Sequence, residues 1–359
     1  MLSIPIKVKE LTNKTEEQSF DVRKLQVTGG STYILSLPKK WVIQNQLKKG
    51  SSIKLNQEDG GVLSIFPSDS LKAQKTDEVF IKVLAGDNPD TVIRKIVSAY
   101  LVGYNMIHIH VEKQQQLSSK HRDKIRNFAR QLLVGTEILT DTPAELTLQV
   151  LLSYPELSIQ SALRRMCIIT SSMHRDAITS LRNRDKQLAQ SVIDTDDEVD
   201  RFNLYVIRQL KLAIENPRII KEIGLTKARD CLGYRVVTKS VERTADHAVN
   251  IAENVLLLEE PVDKTSLKYV EEMSNLAISM FETAAESLFR LDFDLAESVI
   301  QKMKNVTALM EEVVLSSRKT PSEETTRLRL MVESLKRTAE YASDIAEIVL
   351  NLTVESVLT

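Results

Sequence analysis

The chain has 359 residues, long enough for two or three domains with proper cores. Lys plus Arg number 48 against 49 Asp plus Glu, so net charge points to no partner and any charge-driven function must come from local patches. Two cysteines, Cys167 and Cys231, stand in no metal-ligand spacing, which argues against a disulfide framework and for a reducing cytoplasm.

The first ten residues, M-L-S-I-P-I-K-V-K-E, lack the apolar core of a signal peptide. No apolar run reaches the length of a membrane span, so no stable membrane insertion is expected. Residues 22–67 read as short strands. V-R-K-L-Q-V-T is followed by the turn Gly29-Gly30, then T-Y-I-L-S-L-P, a helical turn holding Trp41, Gly50 and S-S-I-K-L-N. A hairpin signal at Asp59-Gly60-Gly61 and V-L-S-I-F close the segment. Strands this short bury too little alone, so a second chain is expected to complete the sheet. Seven basic residues here, Arg23, Lys24, Lys39, Lys40, Lys48, Lys49 and Lys54, face only Glu58 and Asp59, leaving +5. A symmetric pair would present twice that, enough for several phosphate contacts. The same lysines would also serve merely to keep a small dimerisation module soluble.

Residues 77–152 alternate strand and helix periods. E-V-F-I-K-V-L and M-I-H-I-H-V read as strands. Pro89 to Gly103 and the basic stretch Ser119 to Val134 read as helices, and T-E-I-L-T and L-T-L-Q-V-L-L as strands around Pro143. The expectation is a small two-layer α/β domain at 76–153. His108 and His110 share one strand face and are read as packing or solvent groups rather than metal ligands.

From Ser158 onward the helical period takes over, and the chain repeats itself. L-A-Q-S-V-I at 188–193 returns 107 residues later as L-A-E-S-V-I, and V-E-R-T-A-D-H-A-V-N-I-A-E at 241–253 returns 94 residues later as L-K-R-T-A-E-Y-A-S-D-I-A-E. Met173, Ala177 and Leu181 recur as Met280, Ala284 and Leu288. Breaks at 182–185, Asn216-Pro217 and Pro261, and again at 291–294 and Pro321, predict two three-helix bundles, 157–260 and 264–356. The whole chain is therefore multidomain: a small β module at 20–68, the α/β domain, and an all-α pair of bundles.

Within the first bundle Asp196 and Asp200 are four residues apart on one helix, and Glu242 and Asp246 on another. Like charges at that spacing cost about 0.2–0.5 kcal/mol per pair on an exposed helix and far more when buried without a counter-charge. If the two helices face each other, the four carboxylates form an all-oxygen site for a hard or borderline cation. Alternatively 194–200 is a solvated charged face and Glu242 pairs with Arg243 or a neighbour. The second copy has Met303, Thr307, Lys336 and Glu340 at these positions. Its own acidic pair, Glu340 and Asp344, sits one turn out of register. No histidine follows a glutamate by three residues, against a ferritin-like diiron centre. No phosphate-binding glycine loop, C-x-x-C or H-E-x-x-H occurs either. His247 is expected to be a hydrogen-bonded core group, and both cysteines buried apolar ones.

D-D-E-V-D at 196–200 and E-R-T-A-D-H-A-V-N-I-A-E at 242–253 resemble the PhoU family of phosphate-uptake regulators. That resemblance implies two three-helix bundles whose acidic motifs bind clustered iron or zinc, here through Asp196, Asp200, Glu242 and Asp246. R-K-L-Q-V-T, S-L-P-K-K-W-V and K-K-G resemble the AbrB/SpoVT swapped-hairpin DNA-binding domain, which exists as an intertwined dimer. It implies DNA contacts from Arg23, Lys24, Lys39 and Lys40. Together they are similar to archaeal PhoU-related regulators. The expected function is a cytoplasmic, non-enzymatic, homodimeric DNA-binding regulator of phosphate homeostasis. One alternative is an adaptor that binds a phosphate transporter or sensor kinase without touching DNA; another is a carboxylate-metal enzyme.

Overall fold

The computed structural model describes residues 21–57, 61–68, 78–84, 86–111, 116–151, 157–316 and 323–358. The N-terminal ten residues, the acids Glu58 and Asp59 with the Asp59-Gly60 turn, and the Pro321 break lie outside them. The chain divides into two compact units, Met1–Lys75 and Thr76–Thr359.

In the first unit β1 (Gln26–Thr28) and β2 (Thr32–Ile34) pair antiparallel, Val27 opposite Tyr33. Gly29 and Gly30, at φ 62° and 84°, take the left-handed backbone that glycine adopts without strain, and with Ser31 they form the three-residue loop between the paired Thr28 and Thr32. The first strand is shorter than the expected 22–28, because the glycine turn pairs only three residues with β2 and leaves Arg23 and Lys24 ahead of the ladder. A six-residue helix α1 (Lys39–Gln44) follows Pro38, and β3 (Ile53–Gln57) pairs antiparallel with β4 (Leu63–Pro67). None of the described residues from 21 to 68 is buried.

The second unit opens with a four-stranded sheet ordered β5-β6-β8-β7. Its strands are β5 (Glu78–Val83), β6 (Met106–Val111), β7 (Thr136–Asp141) and β8 (Glu145–Val150). β5 and β6 run parallel, joined by α2 (Pro89–Val102); α3 (Ser119–Leu132) joins β6 to the antiparallel β7–β8 hairpin. Asn88 and Ser118 cap the two helices through their side chains, which accept the N–H groups of Asp90 and His121. Ile81, Val83, Ile107, Ile109, Leu146 and Leu148 are buried with apolar residues of α2 and α3, leaving the other sheet face without a helix of its own.

The helical part is α4 (Ile159–Asn183), α5 (Lys186–Glu215), a short α6 (Pro217–Glu222), α7 (Asp230–Leu256), α8 (Lys264–Arg290), α9 (Phe293–Ser316) and α10 (Glu323–Thr353). The repeat shapes its local structure. α4 ends on Arg184 at φ 56° and α8 on Leu291 at φ 52°, matched positions both in left-handed backbone. Asp185 and Asp292 then each accept the backbone N–H three residues on, at 2.9 Å. Val192 and Val199 of α5 are buried like their counterparts Val299 and Val306 of α9. One continuous core runs through both modules, with α7 packed on α10. Buried His174 of α4 marks the seam: its Nε2 lies 2.8 Å from the Thr244 carbonyl and 3.3 Å from Oγ1 of Thr338, the repeat counterpart of Thr244. Burial lowers its pKa to about 4, so the ring is neutral.

The α/β layer is bolted to the helices through α5, against which α2 and α3 pack. Arg208 of α5, 2% exposed, donates to the Tyr100 carbonyl, to the Gly103 carbonyl at 3.0 Å and to Asn105 Oδ1 at 2.8 Å. Among the described residues no helix is long and apolar enough to cross a membrane.

Candidate functional site

The facing of α5 and α7 decides whether the four carboxylates meet. Both helices lay buried apolar residues into one core: Val192 and Val199 on α5, Val241, Ala245 and Ala248 on α7. Asp196 and Asp200 continue the α5 row between Val192 and Asn203, at the edge of the interface. On α7 Glu242 is buried at 9% exposure, and Asp246 follows one turn later, half-buried.

The electrostatics show that these groups share one region. Burial raises Asp196 to about 7, and repulsion from Asp200, Asp246 and Glu242 adds to it. Burial raises Asp200 to about 6, reinforced by Glu242 and Asp246 and opposed by Lys239. Asp246 is raised by burial, then by Glu242. Oδ1 of Asp196 is buried and has no hydrogen-bond partner among the described residues. A buried carboxylate oxygen without a donor is costly, and a cation or a proton would relieve it.

Lys239 supplies part of that relief. Its Nζ sits 2.5 Å from the Glu242 carboxylate, one turn earlier on α7. Glu242 thus pairs with a neighbour, and that neighbour is Lys239, at i,i+3, rather than Arg243. Arg243 stands over the Tyr341 ring instead. As the side chains stand, no three His, Cys, Asp or Glu groups among the described residues are drawn onto one point. The two observations operate at different ranges: repulsion between carboxylates acts over many ångströms, whereas ligation needs oxygens at about 2.0–2.6 Å. The donor set, all carboxylate with one orphaned oxygen, fits a hard or borderline cation. Gathering Glu242 into such a site means moving the Lys239 ammonium off it.

The second copy is neutralised from within. Met303 packs on the core and Thr307 is exposed. Lys336 pairs with Glu340 at 3.4 Å, and Arg337 holds Glu340 at 2.9 Å and Glu333 at 3.3 Å. Asp344 is raised by partial burial, with Glu347 and Glu340 of its own helix as the repelling acids.

His247 stacks on Tyr341, its repeat counterpart, with ring centroids 5.8 Å apart. Its Nδ1 is buried without a hydrogen-bond partner among the described residues, and the ring stacks across the α7–α10 seam. Both cysteines are buried, and burial pushes the Cys167 thiol up to about 12. On the sheet, His108 lies under Phe80 at 4.7 Å and its Nδ1 is 3.1 Å from Glu145.

The basic set of the first unit is exposed throughout. Arg23 pairs with Asp21 at 2.5 Å; Lys24 lies just before β1; Lys39 and Lys40 form the first turn of α1. Apolar side chains are as exposed as basic ones, with Tyr33 68%, Leu55 65% and Val27 59% accessible.

Residues 163–255 and 270–349 match the family model of the PhoU domain, and residues 26–73 that of the MazE bacterial antitoxin, described as antidote-toxin recognition. A phosphate-specific transport system accessory protein PhoU homolog of Borreliella burgdorferi is 31% identical over 126 residues, 33% of this chain and 54% of that protein. The match thus spans about half the length of that relative. Homolog 1 of Thermotoga maritima is 26% identical over 199 residues, 53% of this chain and 83% of that one. Among solved structures, PhoU from Pseudomonas aeruginosa aligns at TM-score 0.47 and 22% identity, over 55% of this chain and 96% of that one. The phosphate transport system regulatory protein PhoU from Streptococcus pneumoniae aligns at 0.49 and 18%, over 56% and 96%.

Proposed function

Because the helical half of this chain belongs to the PhoU domain family and follows an AbrB-like domain of the MazE type, we propose a homodimeric, DNA-binding regulator of phosphate uptake. The two matched helical modules carry the phosphate-transport part of this reading. Their partner would be a component of a phosphate transport system, the setting that the relatives' names supply.

The DNA part rests on the first unit. A module with no buried residue among those described, and with Tyr33, Leu55 and Val27 exposed beside its basic side chains, gains its core only by association. A second copy would double its positive charge on one object. Arg23, Lys24, Lys39 and Lys40 are the side chains assigned to DNA phosphates. Changing Arg23 and Lys24 together to alanine is expected to weaken operator binding in a mobility shift. With four cationic side chains removed per dimer, the slope of log affinity against log salt should flatten by roughly 3–4. An unchanged slope removes these two residues from the interface. Absence of DNA binding at low salt, with capture of a phosphate-transport component retained, would replace this reading by the adaptor one.

We assign the first bundle a cation, held by Asp196, Asp200, Glu242 and Asp246, with iron or zinc the species the family resemblance suggests. The supporting observation is the orphaned, buried Oδ1 of Asp196 amid mutually repelling carboxylates. Asp200→Asn and Asp246→Asn should each lower the metal content found by elemental analysis of the purified protein. Equal content in the wild type and both variants would strike these ligands out.

A further inference from the structure

β5 is an edge strand. It pairs with β6 on one side only, and within the described residues its other side carries no strand. Exposed edges invite pairing with further strands and are ordinarily blunted or covered. Beside this edge, between β5 and the outer stripe of α2, lies a cleft of about 450 Å3 lined by apolar Val79, Ile81, Val102 and Tyr104 together with Arg94 and Lys95. Val102 is 49% exposed there, and Phe80 on the opposite face of the strand is 64% exposed.

The order of residues along β5 points to what covers it. Glu78, Phe80 and Lys82 project to the open face of the sheet, and Val79 and Ile81 to the helix face. When the strand is laid antiparallel on a copy of itself about an axis through Phe80, each residue meets a complement. Glu78 falls opposite Lys82 of the other copy, Val79 opposite Ile81, and Phe80 opposite Phe80. Opposite charges and apolar or aromatic side chains directly across a ladder are the stabilising pairs of antiparallel sheets. Sliding the register by two residues sets Phe80 against Lys82 and Glu78 against Leu84, losing both gains. A slip by one turns the second copy over, so that its helices no longer lie on the same side. Among the described residues Glu78 lies 3.7 Å from Nε2 of His108, too long for a hydrogen bond.

We propose that β5 is a self-association edge: two copies of this chain join through antiparallel β5–β5 pairing centred on Phe80, fusing their sheets into one of eight strands and closing the two clefts against each other. This surface lies in the second unit and does not depend on how the N-terminal module associates or on the phosphate reading.

Cross-linking of the full chain tests it. Phe80→Cys places two sulfurs on the axis, at the 4.5–5.5 Å Cα separation of paired residues, within disulfide reach. The native cysteines are buried and leave the readout clean. Leu139→Cys, 54% exposed on the opposite edge strand β7, is the control. Under mild oxidation at about 10 μM protein the Phe80→Cys dimer should form roughly 100-fold faster than the control, as a millimolar effective concentration implies. Adding Glu78→Lys should slow it by like-charge contact, and adding Lys82→Glu to that variant should restore it. Equal rates at positions 80 and 139 overturn the proposal. A fast Phe80→Cys reaction indifferent to the charge swap overturns the register.

Discussion

Replacing Arg208 with alanine is expected to be among the most destabilising single changes in this chain, lowering the unfolding free energy by about 3 kcal/mol or more in urea denaturation. The guanidinium is buried, and it satisfies the Tyr100 and Gly103 carbonyls at the end of α2 together with the Asn105 side chain. The Tyr100 carbonyl also accepts the Gly103 N–H at 3.1 Å, so the guanidinium completes the end of α2, and its positive charge suits the negative end of the helix dipole. It lies over the Tyr100 ring too, 4.9 Å from its centre. Arg208→Met separates the donors from the packing, because it keeps an apolar stem. If the methionine variant is as stable as wild type, the hydrogen bonds are not what holds the α/β layer to α5.

No sequence pattern announces that contact. Arg208 and its acceptors are 103–108 residues apart, and an arginine in a helix ordinarily reads as a solvated one. The α/β segment and the helices form one compact unit, held by contacts such as this one between residues far apart in the chain. Local and periodic features fare better. The matched caps Asp185 and Asp292 and the paired Thr244 and Thr338 follow from a repeat visible in the letters alone. The residues that end α4 and α8, Arg184 and Leu291, give no such warning, because left-handed C-terminal positions are usually flagged by glycine.

The acidic cluster was half legible. Spacing four places two carboxylates on one helix face, but which faces meet is set by Val192, Val199, Val241 and Ala245 packing into a common core. The lysine that already answers Glu242 hides in the same signature helix. At the repeat-equivalent positions the charges are exchanged: Lys239 and Glu242 become Glu333 and Lys336. One arrangement leaves surplus negative charge in the first bundle. The other lets Lys336 and Arg337 neutralise Glu340 in the second.

That surplus predicts an inverted pH dependence, opposite to the usual behaviour of carboxylates. Asp196 and Asp200 ionise in the folded protein near 7 and 6, against an ordinary 3.8. Between about pH 4 and 7 the folded chain therefore keeps protons that the unfolded chain has released. Stability must fall as pH rises through that window and level off above it. With solvent screening of half-buried groups the loss should be about 1–2 kcal/mol, read as a declining melting temperature in metal-free buffer. The double change Asp196→Asn/Asp200→Asn should flatten the profile and stabilise the metal-free protein at pH 8. Lys239→Met should steepen it, since the ammonium offsets part of the repulsion. A divalent cation such as Mn2+, added at pH 8, should recover the lost stability in wild type and do nothing for the asparagine pair, because it replaces the missing protons at the same oxygens. A wild-type profile flat from pH 4 to 8, or equal stabilisation of both proteins by the cation, would show that these carboxylates do not share a site.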